Sequence, residues 1–396
     1  MILAVVADVH AGNFARHGGP VEAGLNVRCR LTLDTLHRAV TLANEREAIL
    51  VVAGDLFHIK RPEPAVIAGV QRVLDECAEK DPLLLLGNHD AIGPGDHALA
   101  PLAMNLAEVC AEVRYFRRLK TLAVPWSPEP ALVRLDAALA AVKCSAITDG
   151  ILGLHLLLLH CGLYDQTFPD YLAGPGAVRI QSLWDWMANF DVPLKLVLAG
   201  DYHKHRVWMS GVCPDCSKQV PGGCANPDGV CVSDCACHAY AIQVGCLNPT
   251  GHSDAGTEGY GSVILADTET GAWERVELPG PRFLTFKYAD LALLAKLRDQ
   301  GNTVFCRITC APGEEPAAEE EARMVREHAA ALLLPAPEPG SVGAGVLLGG
   351  PGQVRPAGYG GRPAPDDLPA PPDGGGEELV LQVAVVEVCV LGQAQH

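Results

Sequence analysis

Short apolar runs alternating with amphipathic stretches predict an α/β fold, two sheets flanked by helices in a four-layer α/β/β/α sandwich. Five runs, at residues 2–7, 48–53, 83–86, 154–159 and 194–199, each end at a glycine or polar residue, as buried strands do. Between them, 30–47 carries apolar residues at 31, 33, 36, 40 and 42, and 64–80 carries them at 66, 67, 70, 73, 74 and 77, close to helical spacing. The chain has 396 residues, 49% hydrophobic and 19% charged, enough to bury a large core.

Each strand closes on a motif. The first ends at Asp8-Val9-His10, and the helix 30–47 follows. The second ends at Gly54-Asp55 and leads through His58, Lys60 and Arg61 into the helix 64–80. The third ends at Gly87-Asn88-His89-Asp90 and the fourth, which contains His155, at His160. A helix over 181–190, ended by Pro193, precedes the fifth strand, and its Trp184 and Trp186 read as packing residues. The fifth strand ends at Gly200-Asp201-Tyr202-His203. Ligands of open α/β sheets gather outside the carboxyl ends of the strands, so five strand ends point at one site.

The residue types say what that site holds. Carboxylates, imidazoles and one side-chain amide, with no thiolate, suit hard or borderline divalent ions: Mn²⁺ first, with Mg²⁺, Fe²⁺ and Zn²⁺ as the others. Two such ions about 3.5–4 Å apart can share a carboxylate, activate a water and neutralise the oxygens of an in-line displacement at phosphorus. His17, His37, His97, His155 and His252 read as structural or solvent-facing, His155 as a satisfied core histidine.

The motif order resembles the calcineurin-like metallophosphoesterase superfamily, whose pattern is D-x-H, G-D, G-N-H-[DE], H and G-H-x-H. Within it, Gly54-Asp55-Leu56-Phe57-His58 followed by Lys60-Arg61-Pro62 is similar to the SbcD-type DNA repair nucleases. The resemblance covers about residues 1–206 and resumes near 240–265. It implies that Asp8, His10 and His203 hold one metal, that Asp55 bridges, and that Asn88 and His160 hold the second. It further implies that His89 is the acid protonating the leaving oxygen and that Asp90 steadies it. One position departs: Asp201 stands where the family has histidine, unless the register slips by two to His203-Lys204-His205. The strand running straight into Gly200 favours the unslipped register, which makes Asp201 a candidate ligand of the second metal.

Seven of the fifteen cysteines lie within 213–246, which marks an insert over about 207–239. Cys213 and Cys216 form half of a zinc knuckle, and Cys224, Cys231, Cys235, Cys237 and His238 offer further ligands for one structural Zn²⁺. The catalytic domain is expected over 1–270. A reduced capping region over 275–312 should hold two strands joined by a helix, and a Pro/Gly/Glu-rich linker over 313–378 should be largely disordered. The apolar segment 379–396 is expected to add a strand or dock on a partner.

The formal net charge of −17 is unusual for a protein that approaches a polyanion, although much of the acid lies in the tail. Arg28, Arg30, Lys60, Arg61, Arg114, Arg117, Arg118, Lys120, Lys204 and Arg206 are the basic residues left to meet phosphates, with His58, Lys60 and Arg61 the candidate DNA contacts. The resemblance implies DNA and an SbcC-like coiled-coil ATPase as partners, and a homodimer is allowed. No run is long enough to span a membrane, so a soluble, cytoplasmic protein is expected. The rival expectation is a single-chain phosphoesterase acting on a small phosphodiester or a phosphoprotein.

Overall fold

A computed structural model describes residues 1–15, 18–78, 81–93, 95–103, 106–146, 154–167, 174, 176–190, 194–210, 239–251, 260–286, 292–294, 296, 303–309, 320, 323–324, 378–383 and 388–391. The chain divides into two compact units, Met1–Thr250 with Glu258–Gly280, and Gly251–Thr257 with Pro281–His396.

The first unit is the expected four-layer sandwich. One sheet runs, in spatial order, Trp273–Glu277, Ser262–Asp267, Ile2–Val6, Ile49–Val52, Leu83–Leu85 and Glu108–Cys110. Its last four strands are mutually parallel, and the first two complete it antiparallel. The other sheet runs Arg206–Met209, Tyr240–Gln243, Leu196–Gly200, Leu156–His160, Thr121–Val124 and Arg114–Phe116, with antiparallel strands only at its two edges.

Period-two alternation builds the layers. Leu3, Val5, Val51, Leu83 and Leu85 face Leu156, Leu158, Leu196, Leu198 and Ile242 across the middle. Ala4, Val6, Leu50, Val52 and Leu84 turn outward against helices Val27–Glu45 and Pro64–Leu74. On the far side Leu157, Leu159 and Val197 meet Leu135 and Leu139 of helix Ala131–Ala146, and Leu183 and Trp186 of helix Ile180–Phe190. Truncating any of these central leucines to alanine should cost about 2–5 kcal/mol. The two outer helices start where the sequence supplies start signals. Asn26 caps the first by accepting from Cys29 N–H, and Pro64 occupies the first turn of the second. Trp186 is buried with its Nε1 donating to Asp136, and Trp184 packs on the same cluster, so both pack as expected.

Trp273–Glu277 pairs with Ser262–Asp267, and the first unit runs on to Gly280. The insert is rooted at an edge: Met209 pairs with Tyr240, and Ser210 and Ala239 exchange two hydrogen bonds, Ser210 N–H to the Ala239 carbonyl and Ala239 N–H to Ser210 Oγ. The insert itself, 211–238, with Cys213, Cys216, Cys224, Cys231, Cys235, Cys237 and His238, lies outside the described residues.

In the second unit, Pro281–Phe286 and Thr303–Thr309 are parallel, with described residues 292–294 and 296 helical between them. Phe283 and Phe305 stack with centroids 4.7 Å apart. Glu378–Val383 adds antiparallel to Thr303–Thr309, and Val388–Leu391 adds to it, so the apolar terminal segment supplies strands. The expected linker lies almost wholly outside the described residues. Among the described residues no helix is long and apolar enough to cross a membrane.

Candidate metal centre

The sheet ladder continues past the strand ends and carries the ligands with it. Asp8 N–H donates to the Gly54 carbonyl at 3.1 Å, His10 N–H to that of Asp55 at 3.0 Å, and His58 N–H to that of Ala11 at 3.0 Å, so the first two motif loops run side by side. From the other sheet, His160 and Gly200 end their strands in register, and His160 Nδ1 donates to the Ala53 carbonyl at 2.7 Å. Asp201 N–H bridges both Asp8 carboxylate oxygens at 3.1 Å. The site therefore straddles the seam between the sheets.

That closeness demands glycine. A Cβ at Gly54, whose φ is +93°, would lie 2.0 Å from His160 Nδ1, and one at Gly87 would lie 2.1 Å from Asp55 Oδ1. Four site residues that are not glycine, Asp8, His10, Asp55 and Asp201, hold φ of 49°, 52°, 51° and 90°. Left-handed backbone of this kind costs about 1–3 kcal/mol per residue and gathers at functional sites.

Three ligand groups form among the described residues, each with its donor atoms within 4.8 Å of one another: Asp8, His10 and His203; Asp8, Asp55 and His160; and His10, His58 and His89. His10 Nε2 faces His203 Nε2 at 3.1 Å. The two Asp55 oxygens look in different directions, Oδ2 at 4.0 Å from His10 Nε2 and Oδ1 at 3.5 Å from His160 Nε2, as a bridging carboxylate must. Asp8 stands in two groups, a sharing that the motifs do not spell out. Asn88 Oδ1 lies 3.1 Å from His160 Nε2 and turns inward toward the Asp55 carboxylate. Turning the amide would give hydrogen bonds to Asp55 at 3.2 and 2.9 Å; a cation among these atoms would instead hold the oxygen where it is. The donor set and this inward-facing oxygen fit a pair of divalent cations.

The charge balance fits as well. Burial pushes Asp8 up to about 7, with Asp55 and Asp201 adding to it and His160 and His203 opposing. Burial and Asp55 likewise push Asp90 up to about 7, and burial raises Asp201. Burial would lower His160, yet the carboxylates of Asp55, Asp8 and Asp201 outweigh it and hold it up at about 10. Asp55 is correspondingly held below the usual carboxylate range, its own burial overcome by His160, His10 and His89. Four carboxylates, Asp8, Asp55, Asp90 and Asp201, crowd one pocket among buried imidazoles. Divalent cations would offset that negative charge.

His89 N–H donates to Asp55 Oδ1 at 2.9 Å, and its Nδ1 lies 2.7 Å from the His58 carbonyl. Asp90 is buried and accepts from the backbone N–H of Leu56, Phe57 and Gly87, tying the Asp55 and His89 loops together. Asp201 belongs to none of the three groups; its carboxylate accepts from Gly162 N–H. His203 joins the ligand cluster, while His205 Nδ1 pairs with the Val244 carbonyl at 3.2 Å.

Lys60 and Arg61 are exposed beyond His58. Among the other basic residues, Arg28 is buried, its guanidinium 3.6 Å above the Phe14 ring and donating to the Pro249 carbonyl, so it braces a loop instead of facing phosphate. Arg117, Arg118 and Lys120 precede Thr121–Val124 and so stand at the amino end of that strand, away from the ligands. His155 Nδ1 bonds the Thr268 carbonyl at 3.0 Å and His37 pairs with Glu76 at 2.8 Å, whereas His17 and His252 lie outside the described residues. Sequence reasoning missed Gln243, which is buried and ties together the ends of two neighbouring site segments: its Nε2 donates to the Ala199 and Gly200 carbonyls and its Oε1 accepts from Leu163 N–H. A glutamine inside an apolar strand was the available signal.

Residues 1–207 match the family model described as calcineurin-like phosphoesterase. No curated protein matches the chain. Among solved structures, a dimetal phosphatase of Danio rerio aligns at 12% identity over 70% of this chain and 98% of its own, with a TM-score of 0.37. A protein described as a candidate 5'-nucleotidase of Staphylococcus aureus, in complex with alpha-ketoglutarate, aligns at 16% identity over 78% of this chain and 60% of its own, with a TM-score of 0.38. Likenesses of that size add no weight to the family match.

Proposed function

The chain belongs to the calcineurin-like phosphoesterase family, and from that premise we propose that it is a DNA nuclease of the SbcD type, acting in DNA repair, recombination or replication. Metal-dependent phosphoester hydrolysis comes with the family and with the ligand groups; the DNA substrate is the step taken here. Asp8, His10 and His203 would hold one cation and Asp55, Asn88 and His160 the other, with Asp55 between and Asp201 beside the second. When bound, the pair supplies Lewis acidity and a water activated at neutral pH, with Mn²⁺ best suited to the oxygen-rich donor set.

The protein's own groups do the rest. The His58 carbonyl holds a proton on His89 Nδ1, so Nε2 is the nitrogen that takes up a second proton and, from the imidazolium, passes it to the departing oxygen. Asp90 keeps that loop in place from beneath.

One observation carries the nuclease reading. The loop after Asp55 sets the His58 ring 5.7 Å from that of His10 and 5.8 Å from that of His89, and then exposes Lys60 and Arg61. A cationic step beside the reacting phosphate suits a backbone that continues past it. An SbcC-like ATPase would supply the remaining grip on duplex DNA, and a second copy of the chain would pair the sites. The net charge of −17 favours the second reading, a small phosphodiester or phosphoprotein as substrate.

Replacing Lys60 and Arg61 together by alanine should lower Mn²⁺-dependent DNA degradation at least several-fold and flatten its salt dependence, while sparing a small chromogenic phosphodiester. If purified protein, with or without an SbcC-like partner, leaves DNA intact but hydrolyses cyclic nucleotides quickly, the second reading replaces the first.

A further inference from the structure

We propose a third cation position, formed by the imidazoles of His10, His58 and His89, that takes a borderline ion such as Zn²⁺ or Co²⁺ and silences the centre when filled. It rests on the two-cation reading of the neighbouring residues.

Three nitrogens, one from each ring, lie within 4.8 Å of one another. The rings meet edge to face or stacked, with centroids 4.8 Å apart for His10 and His89 and 5.8 Å for His58 and His89. The donor chemistry differs from that of the pair. Here every donor is an imidazole, which suits Zn²⁺ and its neighbours, whereas the carboxylate-rich groups suit Mn²⁺ and Mg²⁺. A second observation points the same way: Nδ1 of His10 and Nδ1 of His58 are both buried with no hydrogen-bond partner, although buried ring nitrogens are ordinarily satisfied. His10 already turns Nε2 toward His203, so serving both groups at once would take its ring as a bridging imidazolate, with the Nδ1 proton released to solvent as the third position fills.

The three rings are also held ready. Phe14 lies 4.0 Å from the His58 ring, and Gly12 leaves room for His58, since a Cβ there would lie 2.8 Å from the His58 Cβ.

Filling this position would remove His89 from proton transfer and put a cation where the leaving oxygen departs. Excess Zn²⁺ would then inhibit the Mn²⁺-loaded protein without displacing the pair. The inference gives His58 a role outside the ligands of the pair: it makes the centre sensitive to inhibition by a borderline metal in excess.

The test is anomalous diffraction at the zinc edge on crystals of the full chain, grown with Mn²⁺ and soaked in Zn²⁺. A zinc peak about 2.0–2.1 Å from nitrogens of all three rings is expected, and its position separates it from any zinc held by the cysteines of 213–237. In His58→Ala, and in the size-conserving His58→Gln, that peak should vanish while the pair stays filled, and Zn²⁺ inhibition should weaken at least ten-fold. A filled pair with no peak among the three rings overturns the third position alone, as does a peak that persists in both variants. Empty positions at Asp8, His203, Asp55 and His160 would overturn the two-cation reading instead.

Discussion

The two ends of the same strands are built on opposite terms. At the amino ends, His155 bonds the Thr268 carbonyl, Lys195 Nζ donates to the Glu269 carbonyl at 2.7 Å, and Lys120 pairs with the Glu269 carboxylate, so the turn after Ser262–Asp267 ties sheet to sheet with paired, largely exposed groups, apart from the buried and unpartnered Thr268 Oγ1. At the carboxyl ends the sheets are joined by His160 on Ala53 and Asp201 on Asp8, through buried carboxylates, left-handed backbone and orphaned ring nitrogens. One end spends its polar groups on stability. The other holds them unsatisfied for a ligand, at a cost that a binding site tolerates and a mere seam would not.

The sharpest way to break this contrast is Asp55→Ala. It removes the carboxylate that faces both His10 and His160, so hydrolysis should fall about 10³-fold or more and metal content should drop on both sides, as metal analysis would show. His89→Ala should lower kcat by about 10²–10⁴ with metal content near wild type; loss of metal would mean that it is a ligand of the pair. At the departed motif position, His203→Ala should lose metal and activity while His205→Ala stays mild, because His205 faces the Val244 carbonyl. Asp201→Ala should abolish hydrolysis and lower metal stoichiometry. Normal metal content in that variant would restrict Asp201 to aligning Asp8 through its backbone.

A smaller effect follows from protons. His160, ordinarily near 6.5, sits near 10 in the folded, metal-free protein, so the folded state keeps a proton that the unfolded chain releases. Stability from this source is complete below about 6.5 and lost as pH climbs toward about 10. Asp8 and Asp90 act in the same sense between about 4 and 7, while His10 and His58 oppose them below 6.5, which leaves the interval above 7 unopposed. Chelator-treated protein should therefore melt lower at pH 9 than at pH 7, and metal-loaded protein should resist the change because cations replace the proton. A level trace for the stripped protein would contradict the charge balance. Smallest of all, Lys120→Ala should barely shift the denaturant midpoint and leave kcat alone, since that pair is a surface one.

The ligand loops were legible because each follows an apolar run and carries a metal-ligand motif at its end. Thr121–Val124 was not legible: four residues with no motif at their end, yet central to the second sheet between Arg114–Phe116 and Leu156–His160. Helix Ala131–Ala146 escaped for a different reason, since its many alanines favour helix without marking a face. Which end of a strand a basic residue occupies is likewise invisible until the register is known, and Arg117, Arg118 and Lys120 proved to belong to the quiet end. The imidazole cluster around His58 needed three separate loops to meet, a coincidence no local pattern records.

The neck formed by Ser210 and Ala239 carries a consequence for how such a chain can change over time. Arg206–Met209 and Tyr240–Gln243 already pair as a hairpin at the sheet's edge, with Met209 opposite Tyr240 at the amino end of Leu196–Gly200, the far end from the ligands. Whatever lies between 210 and 239 is thus grafted onto a closed base, where lengthening or shortening the graft adds little to the entropy of closing the loop. The fold offers lineages a socket: new modules can be tried there, traded or discarded, while the chemistry at the opposite rim is inherited unaltered.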